Sequence, residues 1–382
     1  MEIVNYLSHG AKNCEFLHMP NIPIAKKVIK ECLQVKEDEQ VLIQTWDHTL
    51  DISDSLALEV NQAGASPFVN LTTQNSFLNY LTSVPEKYYG KIPRAFLSLL
   101  DKIDAQVVLF GPKDPKVLKM APGERFSKAF ESEKPVMEKL RERKIRTAYL
   151  PVGYITSERA LNYGFDLSKW RNNHDQAMDV DMQKMKALGK NLSSKLHNAS
   201  KVHISHSNGT NLTFAIQDRP VHVRDGIIDQ EDVSKGNFSE SLPSGSVLVA
   251  PIETSAEGTV IFDTPQALMG KMLKGFTMSF QNGKLVSFDA KENLDAFAGM
   301  YRGASGDKDR LGSFSIGINP KAQVIGLGGA DDLSLGGVTI GIGYNKDFGG
   351  ENDTTVGYAQ TLSKATVEVD GRPLLQEGKV QV

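Results

Sequence analysis

The chain has 382 residues, 40% hydrophobic and 23% charged, with 33 glycines and 16 prolines; this suits a soluble globular protein and excludes disordered, collagenous and coiled-coil architectures. Its 43 Lys and Arg against 46 Asp and Glu give a net charge of -3, so there is no basic field for nucleic acid or an anionic membrane, and neither is expected as a partner. Cys14 and Cys32 are too few for a disulfide framework or a zinc cluster, and no export signal or membrane-length apolar run is evident, so the expected location is cytoplasmic.

In chain order, IPIAKKVIKECLQV places Ile24, Val28, Cys32 and Val35 on one helical stripe, and Val41 to Trp46 follows as a buried strand. A helix is predicted from Asp51 to a stop at Gly64. Ala105 to Pro112 and Ile145 to Val152 repeat the strand signal, separated by a charged helical stretch over 124–144. Strands alternating with helices predict an α/β domain over 1–200 with an open, mostly parallel sheet. A long helix over 173–197 leads into residues 201–382, where short alternating strands predict a β-rich (α+β) domain. Asn208-Gly209 and Asn282-Gly283 predict type I′ hairpin turns. Phe276, Met278 and Phe280 alternate as a core-facing strand stripe, one more helix is expected over 292–304, and glycine concentrates between Gly299 and Gly350.

Five phrases then occur in a recognisable order: NFSESLPSGSVLVAPIETSAEGTVIFD, LGSFSIGINP, ADDLSLGGVTIGIGY, GGENDTTVGYA and VEVDGRPLLQEGKV. Together with VLIQTWDHTLDISDSLALEVNQAGASP near the start, they resemble the thermophilic aminopeptidase T family of M29 metallopeptidases over nearly the whole chain. The resemblance implies an α/β domain, a β-rich domain holding two divalent metal ions, a homodimer, and hydrolysis that releases an N-terminal amino acid. The two glutamates, the histidine and the terminal His-x-Asp pair that carry metals in that family fall here on Ser246, Ser313, Thr339, Gly357 and Ala359. Such residues do not replace carboxylates and imidazoles as ligands of zinc or manganese. No metal and no cofactor are therefore expected. The related ring-cleaving iron dioxygenases that act on dihydroxypyridine lose their ligands by the same comparison.

Other constellations are weighed against ordinary structural roles. His203 and His206, three apart in a predicted strand, face opposite sides. His206 with His222 across a hairpin, joined by Glu253 or Glu257, is the arrangement a relocated metal requires. Glu257 and His206 are the catalytic candidates; Ser246, Glu257, Ser313, Thr339, Tyr344 and Tyr358 are the expected substrate-binding residues. Asp331 and Asp332 read as loop caps, and the glycine cluster GLGGADDLSLGG as tight β-turns, since neither a strand-to-helix junction nor a Gly-Lys-Ser/Thr run accompanies it. The expectation is a metal-independent enzyme or binder of an amino-acid-like or peptide-derived small molecule. A non-catalytic partner subunit and an active aminopeptidase with displaced ligands are the alternatives.

Overall fold

The computed structural model describes residues 22–120 and 132–381. Cys14 and the first part of the helical stretch expected over 124–144 lie outside them; the remainder of that stretch is the helix Lys134–Arg143. The strand expected at Val41 to Trp46 forms as Gln40–Trp46, and the helix after it as Leu50–Gln62, followed by Gly64 at φ +77°. Ile22–Lys26 is α-helical and continues into a wider π turn, Lys27–Cys32, that buries Val28, Ile29 and Cys32.

Five parallel strands lie in the order Ser66–Thr72, Gln40–Trp46, Ala105–Leu109, Arg146–Leu150 and Ser239–Ser241. The last comes from beyond residue 200, so this sheet does not close at the expected domain border. An eight-stranded antiparallel sheet runs from Lys284–Asp289, through Thr277–Gln281, Glu257–Ile261, Asn211–Ala215, Lys201–Ser205, Thr366–Val369 and Arg372–Gln376, to Lys379–Val380. A second antiparallel sheet orders Gly357–Leu362, Val338–Gly343, Leu311–Gly317, Ser246–Val249 and Val221–Arg224. Phe214 of the first meets Phe314 of the second at 5.3 Å between ring centres, and a continuous apolar core runs from Ala25 to Leu375.

Two expectations are corrected. The long helix over 173–197 is two helices, Leu167–Met178 and Met182–Leu196, because Asp181 accepts the amide of Lys184 at 3.0 Å and starts the second one. Both central residues have positive φ at Asn282-Gly283, as a type I′ turn requires, but at Asn208-Gly209 only the glycine does. There Asn208 Oδ1 accepts the amide of Thr210 at 3.0 Å and Nδ2 donates to the Ile261 carbonyl at 2.5 Å, which holds the asparagine out of the left-handed region. Phe276, Met278 and Phe280 are buried as expected.

Candidate functional site

Antiparallel register decides which side chains share a face, because directly paired residues project together and sequence neighbours project apart. In the five-stranded antiparallel sheet Gly317 pairs with Ser246, Ser313 with Gly341, Ser315 with Thr339, and Gly341 and Gly343 with Ala359 and Gly357. Ser246, Ser313, Thr339, Gly357 and Ala359 therefore share one face, the one turned away from Val247, Phe314, Ile340 and Tyr358. Their closeness is direct: a Cβ added at Gly341 would stand 2.4 Å from Ser313 Oγ and 3.0 Å from Ala359 Cβ. Gly357 is exposed and opens one end of this face, whereas Ser246, Ser315 and Thr339 are buried.

The side-chain donors at Ser246, Ser313 and Thr339 are hydroxyls, and Thr339 Oγ1 is already hydrogen-bonded to Thr361 Oγ1 at 2.8 Å. His222 and Arg224 share the face at its far edge, through pairing with Leu248 and Ser246. Burial lowers the His222 pKa, partly offset by its 3.3 Å contact with the Phe348 carbonyl oxygen, so the imidazole is held neutral. Among the described residues no three His, Cys, Asp or Glu side chains converge as a metal site.

The other residues singled out from the sequence do not join this face. Tyr358 lies in the core between Phe276 and Phe297 and donates to Gln360 Oε1 at 2.6 Å, a correction to its expected place at a ligand, since period two turns it away from Gly357 and Ala359. Tyr344 stands exposed past the strand end, its hydroxyl on Asp347 at 3.1 Å. Glu257 is exposed on the eight-stranded sheet and accepts the amide of Asn282 at 2.6 Å. Glu253 is buried: it pairs with Arg219 at 2.5 Å and accepts Asn345 Nδ2 at 3.0 Å and the Glu351 amide at 2.8 Å.

The histidines are separated as well. His203 contacts Glu368 at 3.1 Å and Asn211 at 2.9 Å. His206 lies in the turn after that strand, accepts the Asn208 amide at 3.1 Å and stands 3.9 Å from Asp263. His206 and His222 thus belong to different sheets with different partners. Asp331 is the loop cap expected, its carboxylate taking the amides of Ile325, Gly326 and Leu327 at 2.7 to 3.2 Å. Burial raises the Asp332 pKa against the pull of Arg224.

A concavity the sequence did not announce lies at the carboxyl ends of the parallel strands, where ligands of open α/β sheets bind. One cavity, of about 310 Å³, is walled by Phe110, Tyr154, Tyr163 and Trp170 and includes Arg159 and His174. A second, more polar one of about 610 Å³ shares Ile155 and His174 with it and adds His48, Asp51, Lys113 and Arg171. His48 and Asp51 follow the strand Gln40–Trp46, and Lys113 follows Ala105–Leu109. These two adjacent strands are where the chain reverses its direction of winding, the topological switch point of the sheet.

The family described as thermophilic metalloprotease (M29) matches residues 22–324, about four-fifths of the chain. The chain belongs to the M29 family. Among solved structures it is similar to wild-type AmpT from Thermus thermophilus, at 20% identity and a TM-score of 0.72, covering 95% of this chain and 99% of that one. A 2,5-dihydroxypyridine dioxygenase from Pseudomonas putida KT2440 shares the architecture at 12% identity and a TM-score of 0.59, covering 96% and 98% respectively. At such identities the M29 member and these structures share a fold. No curated protein sequence matches significantly. Among the described residues no helix is long and apolar enough to cross a membrane.

Proposed function

We propose that this M29 member is a metal-independent enzyme or binder, acting in the cytoplasm as a homodimer on an amino-acid-like or peptide-derived small molecule. The observation that carries the reading is the shared face of Ser246, Ser313, Thr339, Gly357 and Ala359: five positions brought together by register, offering hydroxyls, a methyl group and a bare backbone. A dinuclear site that activates water needs anionic or imidazole donors to hold both ions and lower the pKa of the water. This donor set does not fit such a pair. Neutral hydroxyls on a half-open face instead donate to and accept from a polar ligand, and Ser313, half-buried beside Gly341, is the best placed to do so.

Elemental analysis of protein purified without added metal, then assays on amino-acid p-nitroanilides after loading with zinc, manganese or cobalt, tests the reading. We expect well under one ion per chain and no chelator-sensitive hydrolysis; two tightly held ions with such hydrolysis would restore the aminopeptidase. Thermal-shift screening against amino acids and short peptides should find a stabilising ligand by linkage. A shift produced only by a protein partner would favour the partner-subunit alternative, and light scattering reads the dimer directly.

A further inference from the structure

We infer that the 310 Å³ cavity at the carboxyl ends of the parallel strands is a binding site for a small monocarboxylate with a ring-sized apolar body and no free ammonium group. The site is separate from the small-residue face, since none of Ser246, Ser313, Thr339, Gly357 and Ala359 lines it. Its central group is Arg159, 5% exposed. One guanidinium nitrogen donates to the Pro112 carbonyl at 2.8 Å and the plane lies 4.1 Å from the centre of the Tyr154 ring, but Nε is buried without a partner. Both neighbours are neutral, because burial raises the Tyr154 pKa and keeps its phenol protonated.

No carboxylate among the described residues compensates this charge. The neighbouring Glu158 is drawn off by Lys113 at 3.1 Å. Asp331 is committed to the three amides of its own loop, Asp166 to the helix start at Lys169, and Asp175 to His174. A buried cation without a counter-ion is costly, and Arg159 Nη1, which has no partner among the described residues and is not sealed in, is the donor through which an anion in the cavity would complete it.

The rest of the lining narrows the class. Phe110, Tyr154, Tyr163, Trp170 and Leu327 supply apolar and aromatic walls, and the volume is at the lower end for small-molecule sites. His174 is buried, and its Nδ1 is held by Asp175 Oδ1 at 3.1 Å. Its other ring nitrogen has no partner among the described residues and is not sealed in the interior, so it adds a second polar contact where the two cavities meet. Among the described residues the lining contains no Asp or Glu. An α-ammonium would therefore lie beside Arg159 with nothing to neutralise it, which separates this ligand from a free amino acid.

The test uses three probes on one carbon frame: 3-phenylpropionate, its neutral amide and phenylalanine, titrated by calorimetry into the full-length protein. The acid should bind, with the amide and phenylalanine at least about tenfold weaker, as loss of a charge-assisted hydrogen bond implies. Arg159→Met should remove the preference for acid over amide, and Arg159→Lys should retain part of it. Equal binding of acid and amide, no binding of the acid at millimolar concentration, or an undiminished preference in Arg159→Met would overturn the assignment. If Arg159→Met does not fold, the acid-to-amide ratio in the natural protein decides.

Discussion

Replacing Glu253 by Gln tests whether its network is a load-carrying joint or an incidental surface pair. The residue anchors three segments: Arg219 at 2.5 Å, Asn345 at 3.0 Å and the Glu351 amide at 2.8 Å, while Arg219 also donates to the Gly349 carbonyl at 2.6 Å. The two charged side chains are only 11% and 13% exposed, so solvent screening is weak. The gross attraction at this separation is about 7 kcal/mol with an effective dielectric constant near 20. Removing one partner of such a pair costs about 3–5 kcal/mol when fully buried, and partial exposure brings the expectation to about 3 kcal/mol. For a chain of this length that is a fall in Tm of about 4 °C. Burial raises the Glu253 pKa, but the Glu351 amide, Asn345 and Arg219 together outweigh it and hold the carboxyl below its ordinary value. Its contribution is thus present above the unfolded pKa and is lost as pH falls through the folded one. Scanning calorimetry at neutral pH should show the loss in Glu253→Gln, and it should shrink in strong acid. Arg219→Met combined with Glu253→Gln should cost less than the sum of the singles. A strictly additive double variant, or a Glu253→Gln protein as stable as the original, refutes the joint.

Two further perturbations follow from the same physics. Burial, reinforced by Asp225, pushes Glu240 up to about 8, so the native state holds a proton that an unfolded carboxyl, titrating near 4.3, releases, and stability falls as pH rises between those values. Glu240→Gln should raise Tm by only about 1 °C at about pH 5 and by about 6 °C near pH 8.5; an equal effect at both values counts against a protonated Glu240. Gly153→Ala would place a Cβ 1.9 Å from the Phe110 carbonyl oxygen, forcing the backbone turn at Pro151–Tyr154 away from the parallel sheet. A loss of about 2–3 kcal/mol in chemical denaturation is expected, and an unperturbed variant would show that the close approach is not required.

Periodicity revealed most individual elements, because burial on one face is a local property of the sequence. It did not reveal Ser239–Ser241: three alternating polar residues carry no apolar signal, and only a parallel pairing with Arg146–Leu150 makes them a strand. The break at Asp179 to Asp181 was hidden because helical spacing of apolar residues continues across it, although Asp181 is a good cap by type. Grouping Ser246, Ser313, Thr339, Gly357 and Ala359 was a reading from the order of phrases, whereas their common face needed the register. Tyr358 shows the cost of ignoring alternation, since a residue between Gly357 and Ala359 in a strand must project to the other side. Arg159 was invisible for a different reason. That a cation lacks a counter-ion is a statement about every acidic residue nearby in space, and here those belong to segments around residues 158, 166, 175 and 331.

Charge accounting links the two candidate regions and makes the proposals jointly demanding. On the antiparallel sheet, the face shared by Ser246, Ser313, Thr339, Gly357 and Ala359 offers hydroxyls, a methyl group and bare backbone, with Arg224 paired to Ser246 at its edge. In the cleft at the parallel strands, a positive charge is buried beside carbonyl and aromatic groups with no acid among the described residues to meet it. Cations are therefore not drawn to the first region, and small anions are drawn to the second. A substrate recognised chiefly by its free amino group finds no Asp or Glu among the described residues lining the 310 Å³ cavity, and on the small-residue face Glu253 is taken up by Arg219 while Glu257 stands on the other sheet. An acyl or otherwise blocked amine, with its carboxylate left free, matches both regions at once. If the purified protein carries two tightly held ions and the calorimetry returns no difference between acid and amide, the electrostatic reasoning fails in both regions together.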